Sequence, residues 1–258
     1  MNILVTNDDG IQSPGLWALA EAMSQIGRVM VVAPDKQQSG VGASLSLHSG
    51  MDINEVRDLA PGVKAYAIDG TPNDCVILGL RQLSNQPIDF LVSGINLGPN
   101  IGRDIPYSGT VMATLQGYYR KIPSVAVSIF PLTHEEKLDF TNTAQFVKRL
   151  ALSIQHGKIK TDAILNVNVP NIPRDKIKGV RTTHTASIGY VELVGQKNDN
   201  KTNYKIEPKM VENQLEEGTD IWAIHAGYIS VTPLHFNITH HDAMASVKET
   251  LQRMDDWR

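Results

Sequence analysis

The chain has 258 residues, of which 41% are hydrophobic and 20% charged, with a formal net charge of −3. That length and composition suit a globular protein with one large domain, or a core carrying a smaller appendage. The slight acidic excess argues against a general binder of nucleic acid or of acidic membrane, so an anionic substrate would have to be met locally, by a metal or by backbone amides.

The N-terminus lacks a basic segment followed by a long apolar run, so no signal peptide is expected. Nor is any stretch apolar for long enough to span a bilayer. The chain opens on a short apolar run, Ile3, Leu4 and Val5, that reads as a buried strand and stops at Asn7, Asp8, Asp9 and Gly10. Gly10 frees the backbone to turn, Ser13 is a good N-cap, and Pro14 suits the first helical position. Two carboxylates therefore sit where a strand ends and a helix begins, the edge at which open α/β sheets bind ligands. An Asx-rich turn with capping chemistry accounts for Asn7, Asp8 and Gly10 without a ligand. Adjacent acids repel each other, however, unless a cation or shared protons relieve them.

Leu16, Leu19, Ala20, Met23 and Ile26 have helical spacing, and Gly27 closes that helix. Residues 29–33 are a solid apolar run, a second buried strand, ended by Pro34. These pieces make a βαβ unit and imply a parallel sheet. The polar segment 35–50 follows, with Ser39 and Gly40 at its centre, and is a candidate site loop. Residues 65–68 read as a strand, after which Thr71 caps a helix that begins at Pro72 and runs to about Leu83. The lone cysteine, Cys75, lies in that helix's apolar run. It reads as core, and a single cysteine permits no internal disulfide, which suits a reducing compartment.

Residues 88–92 read as a strand buried on both faces. A stretch of unusual composition follows over 93–104, with three glycines, Asn96, Asn100, Arg103 and Asp104. It leads through Tyr107 to Ser108, Gly109 and Thr110 at the start of a helix, a natural phosphate seat or an ordinary N-cap. Neither a dinucleotide fingerprint nor a Walker motif is present. Residues 124–129 read as a strand, Thr133 and Glu136 as a capping box for a long helix ending near Gln155, and 163–169 as another strand. Beyond Pro170 the texture turns alternating and polar, which predicts antiparallel β structure over 180–239 with a polar hairpin tip at 196–203. Ala243, Val247, Leu251 and Met254 then mark an amphipathic C-terminal helix. The expected architecture is a doubly wound, mostly parallel α/β sheet over residues 1–170, with a smaller β-rich part and a terminal helix over 171–258.

Three strand ends supply Asp8 and Asp9, the Ser39 loop, and Asn96. Carboxylates, a hydroxyl and an amide carbonyl are hard oxygen donors, suited to Mg²⁺, Mn²⁺ or Ca²⁺ rather than zinc. A metal beside a helix N-terminus is equipped to handle phosphate. A phosphoacceptor receiver domain would also carry an acidic pair after its first strand, but it needs an acid at the end of the central strand, where this chain has Ser93-Gly94-Ile95-Asn96. A non-catalytic nucleotide binder with the same rim is the other alternative.

The segments Asn7-Asp8-Asp9-Gly10, Ala33-Pro34-Asp35 through Gln38-Ser39-Gly40, Asp69-Gly70-Thr71-Pro72, Ser93-Gly94-Ile95-Asn96, Tyr107-Ser108-Gly109-Thr110-Val111 and Gly227-Tyr228-Ile229-Ser230-Val231-Thr232-Pro233-Leu234 together resemble the SurE stationary-phase survival family of metal-dependent nucleotidases. The resemblance runs nearly end to end and implies a Rossmann-like fold. It further implies that Asp8, Asp9, Ser39 and Asn96 ligate one divalent cation, Mg²⁺ or Mn²⁺, with Asp8, Asp9 and Asn96 serving catalysis. The implied activity is phosphate release from nucleoside monophosphates, a 5′-nucleotidase, with the 3′ ester and polyphosphate left open. It also implies a cytoplasmic homodimer or homotetramer built partly by the C-terminal region; the charge and the lack of a long apolar run lead us to expect no nucleic-acid or membrane partner. Gln116, where the family usually carries an acid, and Asn237, where Asp is common, depart from its pattern.

Overall fold

A computed structural model describes residues 1–57, 60–131, 138–160, 162–189, 191–198, 201–208 and 215–254. Its centre is a nine-stranded sheet built from β1 (Asn2–Thr6), β2 (Arg28–Pro34), β3 (Ile53–Val56), β4 (Lys64–Ile68), β5 (Phe90–Leu97), β6 (Ser124–Phe130), β7 (Ile164–Pro170), β8 (Val180–Thr182) and β11 (Ile229–Leu234). The spatial order is β3-β4-β2-β1-β5-β6-β7-β11-β8. The six strands from β4 across to β7 run parallel, while β3 pairs antiparallel with β4 on one side and β11 antiparallel with β7 on the other. Strands β6 and β7 are buried along their whole length, as expected of parallel strands covered on both faces.

Helices cover the sheet on both sides. The apolar stripe of α1 (Pro14–Ser24) packs with that of α5 (Phe140–Gln155) over Ile3, Val5, Val31, Val92 and Val127. On the opposite face Cys75 and Val76 of α2 (Pro72–Leu78) meet Leu4, Val32 and Leu91. Further along that face, Val111 and Met112 of α3 (Gly109–Ala113) and Leu115 of α4 (Leu115–Tyr118) cluster with Ala126 and Ile164. The expected α/β class and doubly wound sheet are therefore present, and so is the C-terminal helix α7 (His241–Gln252).

Thr71 and Asp74 form a reciprocal capping box: the Thr71 hydroxyl accepts from Asp74 N at 3.2 Å, and Thr71 N donates to Asp74 Oδ2 at 2.9 Å. Ser13 precedes α1 but makes no side-chain cap bond. The helix begun at Pro72 ends in a π turn over Gly79–Leu83. The capping box read at Thr133 and Glu136 lies outside the described residues; within them, α5 begins after Asp139, whose Oδ1 accepts from Thr141 N at 2.9 Å.

The region beyond residue 170 differs from uniform antiparallel β structure. Strand β11 does pair antiparallel with β7, but β8 joins β11 in parallel, and both complete the same sheet as the core. A helix, α6 (Asp220–His225), stands between them in sequence, where a strand-rich segment was expected. Its Ile221 and Ile224 bury against Ile101 and Phe130, so burial on one side of a helix, rather than strand alternation, produced the apolar pattern. The antiparallel hairpin is present as β9 (Val191–Asn198) and β10 (Lys201–Pro208), a separate two-stranded ribbon.

Candidate active site

Strand order reverses between β1 and β5: from β1 the chain builds outward to β2 and β4, and from β5 it builds the other way to β6 and β7. That reversal opens a crevice beyond the strands' carboxyl ends, the place where doubly wound sheets bind ligands. Asp8 and Asp9 follow β1 directly, and Asn96 lies near the end of β5. The chain's acidic pair and its amide thus flank the switch point of the sheet.

The turn after β1 is fixed by Asn7, whose Nδ2 donates to Gly10 O at 3.0 Å and whose Oδ1 accepts from Gly10 N at 3.2 Å. This closes the Asx turn and presents both following carboxylates. Asp8 is buried. Its Oδ2 accepts from Thr110 N at 3.0 Å, and its Oδ1 accepts a short hydrogen bond from the Thr110 hydroxyl. Burial pushes the Asp8 carboxyl above its ordinary value, against the pull of the Thr110 bonds. Asp9 is half-buried, and its Oδ2 accepts from Leu97 N at 3.2 Å. Burial, with the neighbouring Asp8 charge second, pushes Asp9 up to about 6.

The Ser39 loop is tied to the same edge by its backbone. Gln38 N donates to Asp8 O at 2.7 Å, and Gly42 N donates to Tyr107 O at 2.9 Å. Ser39 itself is exposed, its hydroxyl accepting from Gln37 Nε2 at 2.9 Å. Asn96 donates through Nδ2 to Gly98 O at 2.7 Å, which orients the amide and leaves Oδ1 as its acceptor atom. Asn96 lies within the strand and not in a glycine-rich loop beyond it. Strand β5 continues to Leu97 and shifts register against β6 between Ser93 and Asn96. The bulge re-aims the strand end, as bulges beside active sites do.

Ser108, Gly109 and Thr110 are brought to the acidic pair, but as a cradle for Asp8. Thr110 spends both its N–H and its hydroxyl on that carboxylate. Ser108 Oγ accepts from Val111 N at 3.1 Å, capping its own helix. Gly109 passes so close that a Cβ there would lie 2.8 Å from Asp8 Cβ and 3.0 Å from Oδ2. The Thr110 N–H and hydroxyl and the Ser108 hydroxyl therefore have protein partners in this fold. Sequence reasoning missed the pairing of Thr110 with Asp8, because nothing in the spacing of residues 102 positions apart announces it.

Among the described residues, no three His, Cys, Asp or Glu side chains gather as a metal cluster. The donor set instead combines two carboxylates with amide and hydroxyl oxygens, the chemistry of a hard cation. Two further observations fit a cation here. The carboxylates are adjacent and desolvated, and among the described residues no cationic group offsets them. One step back on the paired strands, Thr6 and Ser93 face each other in register, and both of their buried hydroxyls lack a protein partner. The edge thus carries more polar oxygen than the protein itself satisfies.

The sequence model for the survival protein SurE matches residues 3–192. The chain belongs to the SurE family. It is 44% identical over 236 residues to the 5′-nucleotidase SurE of Dehalococcoides mccartyi strain CBDB1, covering 91% of this chain and 89% of that protein. It is 40% identical over 251 residues to the 5′-nucleotidase SurE of Geotalea daltonii, covering 96% and 98%. The crystal structure of the SurE protein from Aquifex aeolicus matches with a TM-score of 0.84 and 39% identity, over 97% of this chain and all of that one. Two positions noted as departures from the SurE pattern have local partners. Gln116 accepts from Arg120 Nη1 through its backbone oxygen at 2.8 Å and through Oε1 at 2.9 Å. Asn237 Nδ2 lies 2.9 Å from His241 Nε2.

Proposed function

We propose that the protein is a divalent-metal-dependent phosphomonoesterase that releases phosphate from nucleoside 5′-monophosphates. The observation that carries this reading is the adjacent, desolvated pair Asp8 and Asp9 at the sheet's switch point, with no cationic partner among the described residues. The names of the SurE relatives support the nucleotidase activity. Asp8, Asp9, Asn96 through Oδ1 and Ser39 through Oγ are the ligands we assign to one Mg²⁺ or Mn²⁺ ion. When bound, that ion would neutralise charge on the phosphoryl group and lower the barrier to attack at phosphorus.

The chain's own residues supply positioning and proton handling. Thr110 and Gly109 hold the Asp8 carboxylate in one orientation, and the Leu97 N–H holds that of Asp9. Such pre-organisation avoids reordering dipoles as charge develops. A water attacks phosphorus in line with the ester oxygen. The P–O ester bond breaks, the nucleoside oxygen takes a proton, and inorganic phosphate departs. Asp9 Oδ1, not engaged by the Leu97 N–H, is the acceptor we assign to the water's proton. To Ser108, Gly109 and Thr110, at the start of α3, we assign a part in holding the phosphate through the Asp8 carboxylate that they adjoin.

A monoester dianion offers three terminal oxygens to such a site, whereas an internal diester has two. The net charge of −3 provides no general attraction for a polynucleotide backbone. The 3′ ester and the end of a polyphosphate present the same terminal group and are further candidate substrates. Among the described residues no helix is long and apolar enough to cross a membrane, and we assign a cytoplasmic setting. We also assign a homodimer or homotetramer in which residues 171–258 supply much of the contact, since α7 buries none of its residues within the chain.

The deciding assay compares phosphate release from a nucleoside 5′-monophosphate with cleavage of a single-stranded oligonucleotide, with Mg²⁺, Mn²⁺ or a chelator. Release from the nucleotide should need metal. Asp8→Asn or Asp9→Asn should lower it by about 100-fold or more, because an anionic ligand is lost. Full activity in excess chelator, or faster cleavage of the oligonucleotide, would sink the proposal.

A further inference from the structure

Single exposed apolar side chains are ordinary in folded proteins, and what distinguishes two of those in this fold is their place beside the carboxylates. Among the described residues three aromatic side chains are exposed: Tyr107, Tyr119 and Tyr204. Tyr119 lies with Lys121, Ser124 and Ile164 at the amino-terminal edge of the sheet, away from the site. Tyr204 is on the separate β9–β10 ribbon. Tyr107 alone stands at the carboxylate edge, and it is 64% exposed.

Its backbone is firmly placed. Tyr107 ends a 3-10 turn over Gly102–Tyr107, its carbonyl accepts from Gly42 N at 2.9 Å, and Ser108 N donates to Ile105 O at 3.2 Å. The turn is anchored at its start by buried Asp220, whose Oδ2 accepts from Gly102 N at 2.8 Å. The ring thus projects from a fixed segment that runs within two residues into the Asp8 cradle. On the Asp9 side stands Leu97, 56% exposed, whose own N–H holds that carboxylate. Each carboxylate is therefore coupled to one exposed apolar side chain, Asp9 directly to Leu97 and Asp8 through residues 108–110 to Tyr107.

A phosphate group needs no such surface, but a nucleobase does: it has flat π-faces that aromatic rings stack on and aliphatic groups cover. We infer that Tyr107 stacks on the nucleobase of the bound nucleotide, with Leu97 closing the opposite side of the base site, and that these two residues make the enzyme prefer nucleotides over simple phosphate esters. The inference rests on the nucleotidase reading, because a phosphate held by Asp8 and Asp9 is what brings a base within reach. Stacking uses faces rather than hydrogen-bonding edges, so it accepts every base and favours the larger purine face.

The test measures kcat and KM of the intact protein, with Mn²⁺, for a nucleoside 5′-monophosphate and for glycerol phosphate, which has no ring. In Tyr107→Ala the ratio of the two kcat/KM values should fall by about 5- to 100-fold, the range of a lost base–aromatic stack, chiefly through the nucleotide KM. Tyr107→Phe should restore the ratio, because the ring is back without the hydroxyl. Leu97→Ala should lower it less. A proportional loss on both substrates would assign Tyr107 a structural role and overturn the inference, as would an unchanged ratio. A wild-type enzyme that hydrolyses glycerol phosphate but no nucleotide would overturn the nucleotidase reading, and the base site with it.

Discussion

Asp8 and Asp9 are neighbours in the chain but differ in how their charge is met. Asp8 is buried and receives both the N–H and the hydroxyl of Thr110, whereas Asp9 receives a single backbone N–H from Leu97. Both carboxyls are nevertheless raised, because burial outweighs those hydrogen bonds. For Asp9 the folded value of about 6 lies above the ordinary 3.8, so the metal-free fold holds this proton more tightly than the unfolded chain does. Its contribution to stability is present below about 3.8 and is lost as pH rises through the window to about 6. A divalent cation favours the ionised form and reverses that trend. In thermal melts of chelated protein, the fall in Tm between pH 4 and pH 7 should be smaller for Asp9→Asn than for the wild type. Added Mn²⁺ should raise the wild-type Tm more at pH 7 than at pH 5. Parallel pH curves for the two proteins would refute this account.

At the scale of the element, β5 decides the site. It runs beneath both helical layers, its register against β6 shifts between Ser93 and Asn96, and it delivers Leu97 N–H to Asp9 and the Asn96 amide to the crevice. Gly94 makes the bulge possible. Its φ of +137° lies where side chains are strained, and a Cβ there would collide with the backbone carbonyl of Val127 on the adjacent strand. Just beyond, Asn100 is locked by a buried network: its N–H donates to Asn168 Oδ1 at 2.9 Å, its Nδ2 to Ser128 Oγ at 2.8 Å, and its carbonyl accepts from Asn166 Nδ2 at 2.8 Å. Such a network holds the strand-to-loop transition in one geometry. Gly94→Ala should therefore destabilise the protein by on the order of 3 kcal/mol or more, since neither backbone can yield cheaply. Chemical denaturation would measure it. No loss, or the gain of up to ~1 kcal/mol that an ordinary helix or strand Gly→Ala exchange brings, would show that β5 tolerates a regular path.

For the whole molecule, one sheet carries both the candidate site and the C-terminal strands, since β11 and β8 extend the row begun by the parallel core. Beyond Phe236, which packs on Tyr118, none of the described residues is buried. Ile238 is 94% exposed, and Met244, Val247 and Leu251 of α7 are all exposed. An amphipathic helix with an apolar stripe and no buried residue in its own chain is poised for a partner surface. The intact protein should run as a dimer or tetramer by light scattering at micromolar concentration, and deletion of residues 242–258 should shift it toward monomer. A monomeric intact chain would defeat this assignment.

Sequence alone determined what depends on neighbours along the chain. The βαβ start, the capping box of Thr71 and Asp74, and the arrival of Asp8 and Asp9 at a strand's end all follow from periodicity, caps and turn chemistry that act over a few residues. The likeness to the SurE family was legible for the same reason, since its motifs are short and local. Tertiary structure alone decided what depends on pairing across the chain. The apolar residues of α6 form a helix because they pack on Ile101 and Phe130, and β8 lies parallel beside β11 because a sheet edge was there to accept it. Thr110 bonds Asp8 because packing of α3 against the sheet brings its hydroxyl to a carboxylate 102 residues away. A buried acid must find donors wherever the fold offers them. Which donors those are is fixed by the folded geometry and by nothing in the local sequence.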